Sequence, residues 1–464
     1  MRTINIRNGS GRPHPAPAAA DPAAGALHRI ATKKAMVKLL PLMMLALLMS
    51  YIDRTNVGLA KEALQADVGI SAAAFGLGAG VFFLSYAAFE IPSNIILHKV
   101  GPRVWLARIA VTWGLISSAM MFVNNETTFY ILRFLLGAAE AGLVPGLMYM
   151  VTTWFAQKDR ARIVGLVLVA GSVGAVIGNP LGGVLMLMDG IGGLHGWQWM
   201  FLLEGPPAVI AGILMYVRFP DRPHDAAWLS RAEADELVRH AGDPRTAAHV
   251  PMRRAFSNTV VLWASAVFFM VQLSVWGPVF FLPSVIAQMG VHSTATVGLL
   301  AGGVNLGAVA GVVLVPRMTR FFSGELPLIA LCWVGVSVAC CLFVAFGGFP
   351  AAQLVVIGVA GFFVVGMQPL IWSVAMARLT GKTAAAGLAL LSTIGLFGGF
   401  FGPSVFGIAE QATGSAAAGF GLLVPVSLVS LAVVAVLGRA IRAEAGRTAP
   451  TGAAPADSGV PADA

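Results

Sequence analysis

The feature that most limits the fold is the recurrence of long apolar runs. A bilayer-crossing helix needs about 20 apolar residues. Runs of that kind occur at 37–57, 74–97, 104–123, 128–153, 163–187, 197–218, 258–284, 295–316, 326–346, 350–374, 384–408 and 417–438. Only helices and closed barrels satisfy every backbone polar group in lipid, and runs of this length select helices. Composition agrees: 57% of the 464 residues are hydrophobic and 11% are charged, whereas soluble domains carry about 25% charged residues. The expected fold is an all-α membrane protein of twelve spans, sited in the cell's inner or plasma membrane with the lipid bilayer as its surroundings. The net charge of +9 does not imply a nucleic-acid partner, because the basic residues lie in loops between the runs.

Those loops also orient the chain. With both termini cytoplasmic, the inner side receives Arg29, Lys33, Lys34, Lys38, Lys99, Arg103, Lys158, Arg160, Arg162, the cluster from Arg218 to Arg254, Arg317, Arg320, Arg378 and Lys382. The outer side receives Arg54 and Lys61. A one-helix miscount would scatter this asymmetry. The polar stretch 219–257 divides the spans six and six, which points to an internal duplication. Weak echoes agree: Gly101-Pro-Arg103 with Val315-Pro-Arg317, and Gly178-Asn-Pro180 with Gly402-Pro403. The expected organisation is a disordered cytoplasmic tail at 1–36, a six-helix half at 37–218, a cytoplasmic linker at 219–257, a second half at 258–438 and a disordered tail at 439–464. No cleavable signal peptide is expected, since no small-residue cleavage site follows the first run.

Ionisable residues inside the spans carry the functional expectation, because charge in lipid is costly and usually faces a bundle interior or a watery cavity. Asp53, Arg54, Glu90, Arg133, Glu140 and Glu204 are the candidates, all in the first half. Arg133 and Glu140 are seven residues apart, about two turns, and share a helix face. The stretch between them is apolar, so each needs a partner across the bundle, with Asp53 and Arg54 the expected ones. Asp53 and Glu140 are candidates for proton coupling, and the alternative is a static network that only locks helices. Tyr86 lies one turn before Glu90 on the same face and is a pocket candidate. The second half offers neutral candidates: Gln272, Trp276, Asn305, Gln368 and Trp372. Glu90 reads as a helix-end or gating residue, and Glu204, beside Pro206-Pro207, reads as structural. Cys332, Cys340 and Cys341 share one apolar run and read as small buried hydrophobes. No nucleotide loop, metal cluster or nucleophile–base arrangement is visible, so neither an enzyme nor a resident cofactor or metal is expected.

These residues together resemble the major facilitator superfamily and, within it, the anion:cation symporter family. The matching stretches are Tyr51-Ile-Asp-Arg-Thr-Asn-Val-Gly58, Phe89-Glu-Ile-Pro-Ser-Asn94, Leu132-Arg-Phe-Leu-Leu-Gly-Ala-Ala-Glu-Ala-Gly142 and Gly196-Trp-Gln-Trp-Met-Phe-Leu-Leu-Glu-Gly-Pro206. The resemblance implies uptake of an organic carboxylate, such as a tartrate-like dicarboxylate, a sugar acid or an aromatic acid. Protons supply the drive and the mechanism is alternating access. It implies proton handling by Asp53 and Glu140, and pairing of Arg54 and Arg133 with those acids or with the substrate, with Tyr86 in the pocket. Glu90, Asn94, Lys99, Arg103 and Glu204 are expected in gating or structural roles. One departure stands out: His98 occupies the position of the acid in the family's loop after span two, so a gating pair built on that acid is not expected. The chain is expected to act as a monomer. The rivals are an efflux antiporter of the same fold and a membrane sensor that binds without transporting, for which the linker and tails are small.

Overall fold

The computed structural model describes residues 22–241, 258–377 and 383–448. Among these, twelve helices are long and apolar enough to cross a membrane. Spans one to six are Gly25–Leu59, Ala72–Val100, Pro102–Phe122, Glu126–Trp154, Gln157–Met188 and Gly196–Arg218. Spans seven to twelve are Thr259–Gln288, Thr294–Phe321, Glu325–Ala345, Pro350–Met376, Gly387–Thr413 and Ala418–Glu444. The fold is all-α, and each expected run coincides with one of these helices.

The boundaries differ in three places. The first helix begins at Pro22 and runs 38 residues, so residues 22–36, expected as disordered tail, are helical. At 1.5 Å per residue it is about 57 Å long, well beyond the hydrocarbon thickness of about 30 Å, so its start projects from the membrane. The last helix continues to Thr448, so part of the expected tail 439–464 is helical too. The linker contains a helix, Arg231–Ala241, which hydropathy counting passes over because it is polar. Ser230 and Glu233 start it with a reciprocal capping box, Ser230 N–H to Glu233 at 2.8 Å and Glu233 N–H to Ser230 Oγ at 3.2 Å. It docks beneath the first half through Lys34 to Glu233 at 2.7 Å, and just ahead of it Trp228 stacks on Trp154 at 5.6 Å. Arg378, Lys382 and residues 242–257 lie outside the described residues.

The halves meet through spans two with eleven, five with eight and one with seven. The contacts concentrate at the end opposite the chain termini, here called the far end. Small residues let the backbones touch there: a Cβ at Gly58 would lie 2.8 Å from the Phe280 carbonyl, and one at Gly183 would lie 2.5 Å from that of Thr294. Gly76 and Gly80 of span two likewise abut the carbonyls of Pro403 and Phe400 in span eleven.

Two spans are broken, and they are the fourth of each half. Span four stops at Glu140 and resumes at Leu143, turning through Gly142 at φ +93°. Gly142 has no Cβ, which frees it for this left-handed backbone and avoids the Ser93 side chain beside it. Span ten breaks at Met367, just before Gln368 and Pro369.

Candidate functional site

The site grows from four consecutive residues of span one. Successive residues on a helix point about 100° apart, so Asp53, Arg54, Thr55 and Asn56 address different neighbours. Asp53 turns toward span three, where Ser117 Oγ and Trp113 Nε1 donate to it, the latter at 3.3 Å. Arg54 turns toward span four and the second half. Its Nη2 donates to Glu140 Oε1 at 2.6 Å, and Ser50 Oγ donates to the same oxygen at 2.5 Å. Asn56 turns toward span six, and its amide donates to Glu204. Asp53, Arg54, Asn56, Glu140 and Glu204 are all buried.

The Arg54 guanidinium sits in an aromatic box. Its Cζ lies 5.1 Å from the Phe82 ring centroid, 5.4 Å from Tyr86, 5.6 Å from Tyr51 and 5.8 Å from Trp276. Trp276 belongs to span seven, so both halves contribute to the box. Cation–π contacts of this kind gain strength when desolvated.

Arg133 does not take the partner expected of it. It is fully buried, and no acid lies within ion-pair distance among the described residues. Instead it donates to the carbonyls of Ala79, at 3.1 Å, and Gly78, at 3.3 Å, in span two. The Phe82 and Phe280 rings flank it at 4.8 and 5.7 Å. Asp53 likewise has no arginine partner, because its side chain faces the interior of the first half. The expected four-membered exchange network is therefore, in this conformation, one ion pair with two separately held charges beside it.

Several buried polar atoms around Arg54 have no partner: Arg54 Nε, Arg133 Nη1, Glu140 Oε2, Gln272 Oε1 and Trp276 Nε1. Buried groups are normally satisfied, so this cluster of unpartnered atoms stands out. Gln272 and Trp276 are one turn apart on span seven, with Phe268 a turn earlier on the same face. Trp372 packs edge-on against Phe268 at 5.6 Å, which puts it at the foot of that row rather than beside Arg54. Asn305 donates to the Ala175 carbonyl at 2.9 Å and ties spans eight and five together.

The remaining candidates separate from this cluster. Glu90 is half-buried in span two and forms no ion pair with a basic loop among the described residues. Asn94 is half-buried and Lys99 is exposed. Arg103 donates from its backbone to Asp221 at 2.9 Å and from Nε to the Tyr216 carbonyl at 2.6 Å. Asp221, at the head of the linker, thus supplies an acid at the turn after span two, where His98 replaces the family's own.

Some residues escaped sequence reasoning. Arg108, inside span three, donates to the Ala139 carbonyl at 3.3 Å, and Ser93 donates to that of Ala141 at 2.7 Å. Together they satisfy backbone groups freed by the break after Glu140. Lys61, read as an outer-loop residue, is fully buried and bridges the halves through Glu410 Oε1 at 2.7 Å and Ser284 Oγ at 3.1 Å. Glu410 also corrects the expectation that ionisable span residues lie only in the first half, since span eleven runs on to Thr413.

Comparison with known proteins fits this architecture. A putative tartrate transporter of Agrobacterium vitis is 37% identical over 90% of this chain and 97% of its own length. A quinolone resistance transporter of Acinetobacter baumannii is 37% identical over 85% of this chain and 92% of its own. The solved partially occluded inward-open xylose transporter XylE of E. coli superposes with a TM-score of 0.69 at 13% identity, covering 86% of this chain and 96% of that one. The twelve apolar helices and the bacterial transporter relatives make this an inner-membrane transporter and not an enzyme. Residues 43–403 match the profile of the Major Facilitator Superfamily, and the chain belongs to that family.

Proposed function

We propose that the chain imports an organic carboxylate together with protons by alternating access, acting as a monomer with both termini in the cytoplasm. The observation that carries this reading is the Arg54–Glu140 pair, enclosed by aromatic rings from both halves with Arg54 Nε and Glu140 Oε2 left unpartnered. A guanidinium with a spare donor, placed where the halves meet, suits a carboxylate ligand. Arrival of an anionic headgroup competes with Glu140 for Arg54, and a proton on Glu140 relieves the competition. That exchange ties cargo to proton without a second ion. Gln272, Trp276 and Tyr86 then contact the rest of the cargo, with Trp372 further along span seven. In this orientation the far end is the outer one, and the Lys61–Glu410 bridge closes it. Relatives named as tartrate transporters favour a hydroxylated carboxylate.

The test is uptake into proteoliposomes under an imposed pH gradient. Radiolabelled tartrate, gluconate and benzoate represent the three acid classes. Accumulation of at least one acid beyond that in protein-free vesicles, abolished by a protonophore, is expected. Binding of an acid without accumulation would turn the reading toward a sensor.

A second reading has a specific observation behind it. The quinolone resistance relative, and the glycines of span five that let it pack closely, Gly178 and Gly182 against span one and Gly183 against span eight, suit an efflux antiporter. Two buried arginines at the centre suit an anion better than a lipophilic cation. Proton-driven quinolone flux in the outward direction, with no acid uptake, would favour the antiporter.

A further inference from the structure

Outside the membrane, the linker helix and the projecting start of span one bring together three residues that the transport site does not use. One ring nitrogen each from His28 and His240 and one carboxylate oxygen of Glu236 lie within 4.8 Å of one another. Glu236 and His240 are four residues apart on the linker helix and share its face. The His28 and His240 ring centroids are 4.3 Å apart. His28 lies 25 residues before Asp53 in the sequence, about 37 Å of helix, so the cluster is remote from the central charges. Sequence reading found no metal-ligand spacing because the ligands come from opposite sides of the first half.

The hydrogen bonds sort the ring nitrogens. His240 Nδ1 lies 2.9 Å from the Glu236 carbonyl and 3.3 Å from Glu236 Oε1; both oxygens accept, so Nδ1 carries the proton and Nε2 the lone pair, and Glu236 must swing from Nδ1 toward the ion to ligate it. His28 Nε2 faces Thr32 Oγ1 at 3.5 Å and Asp159 Oδ2 at 3.8 Å. His28 Nδ1 is buried without a partner, in a residue only 3% exposed. A carboxylate behind one ring nitrogen, with the other left free, is how proteins orient a metal-binding histidine.

We propose that His28, Glu236 and His240 form a site for a borderline divalent transition-metal ion of the zinc type, with water as fourth ligand and Asp159 orienting His28. Two imidazoles and one carboxylate favour such an ion over Mg²⁺ or Ca²⁺, which take oxygen ligands. Arg239, now 2.6 Å from both Glu236 oxygens, is 62% exposed and turns to water when the ion enters. Lys158 lies on the same side, so ligation rather than the local field holds the ion. Bound there, it staples the linker helix to the start of span one and, through Asp159, to the start of span five, fixing the first part of the chain that joins the halves.

The test uses the full chain in detergent, purified without a polyhistidine tag, stripped by chelator and titrated with ZnCl₂. One equivalent is expected to bind and to raise the thermal midpoint, and Co²⁺ in its place should give the intense visible bands of tetrahedral coordination. His28→Ala and His240→Ala should each weaken binding by more than about thirtyfold, and Asp159→Asn by about tenfold. His292→Ala, at an exposed position outside the cluster, should bind like the unaltered chain. Should His28→Ala fail to fold, His240→Ala carries the same test from an exposed ring. Absence of saturable binding, or equal affinity in the His240→Ala chain, would overturn the proposal.

Discussion

The two halves share a scaffold but treat polarity differently. The first half buries Asp53, Arg54, Arg133, Glu140 and Glu204 and holds most of that charge within itself, by Ser117, Trp113, Ser50, Asn56 and the span-two carbonyls. The second half presents neutral groups to the same place, Gln272 and Trp276 among them, and leaves them unbonded. Its buried acid near the interface, Glu410, is paired across to Lys61. On the proposed function, the difference predicts two kinds of sensitivity: altering the first half should disturb both folding and transport, whereas altering the central face of the second half should disturb recognition alone.

The largest expected effect is at Arg54. Arg54→Gln leaves Glu140 buried without a countercharge, which costs about 3–5 kcal/mol, and uptake should be lost. Arg54→Gln combined with Glu140→Gln should recover most of the thermal stability and none of the uptake. A single variant as stable as the unaltered chain would erase the contrast between the halves.

Next is the bridge between them. Lys61→Met strands Glu410 and should loosen the far end. In a cysteine-free background carrying Ser284→Cys, labelling by a membrane-impermeant thiol reagent added from outside should accelerate about tenfold or more. Unchanged labelling would mean that glycine packing alone holds that end shut.

Trp276→Ala sharpens the comparison from the other side. It removes one wall of the Arg54 box without stranding a charge, so KM for the transported acid should rise about tenfold, worth about 1.4 kcal/mol, with little change in thermal midpoint. Trp372→Ala should do less, because Trp372 meets the row at Phe268 rather than beside Arg54.

The smallest effect concerns the linker helix. Lys34 and the Ser230 N–H hold the Glu233 carboxyl below its usual range. A depressed acid adds stability above its unfolded value of about 4.3, and that contribution fades as pH falls through the lower folded value. The protection factors for hydrogen exchange in residues 231–241, which remove the intrinsic pH dependence of the exchange chemistry, should therefore be higher at pH 6 than at pH 4, and Lys34→Met should shrink the difference. The exposed lysine limits the size of the effect.

The twelve spans were legible because a bilayer imposes length and hydropathy on each one independently. The helical residues 22–36 and the linker helix were not, since both are polar enough to pass for tail and loop, and their stability comes from docking. Within the site, the identities of Asp53, Arg54, Arg133 and Glu140 stood out because charge inside an apolar run is rare. Their partners did not, since Ser50, Ser117 and the Gly78 and Ala79 carbonyls are chosen by how helices cross. Arg108 was overlooked although it sits in a span, because its partner is a carbonyl freed by a helix break that a single Gly142 signals only weakly. Lys61 and Glu410, 349 residues apart, could be matched only by the fold.

The most direct test of the central claim compares two assays on Glu140→Gln in proteoliposomes. One is acid-driven accumulation of the transported carboxylate; the other is exchange of labelled for unlabelled carboxylate at equal pH. If Glu140 passes the proton while Arg54 holds the cargo, exchange persists and accumulation disappears. Accumulation at the level of the unaltered chain would contradict that coupling and leave the Arg54–Glu140 pair as a structural clamp.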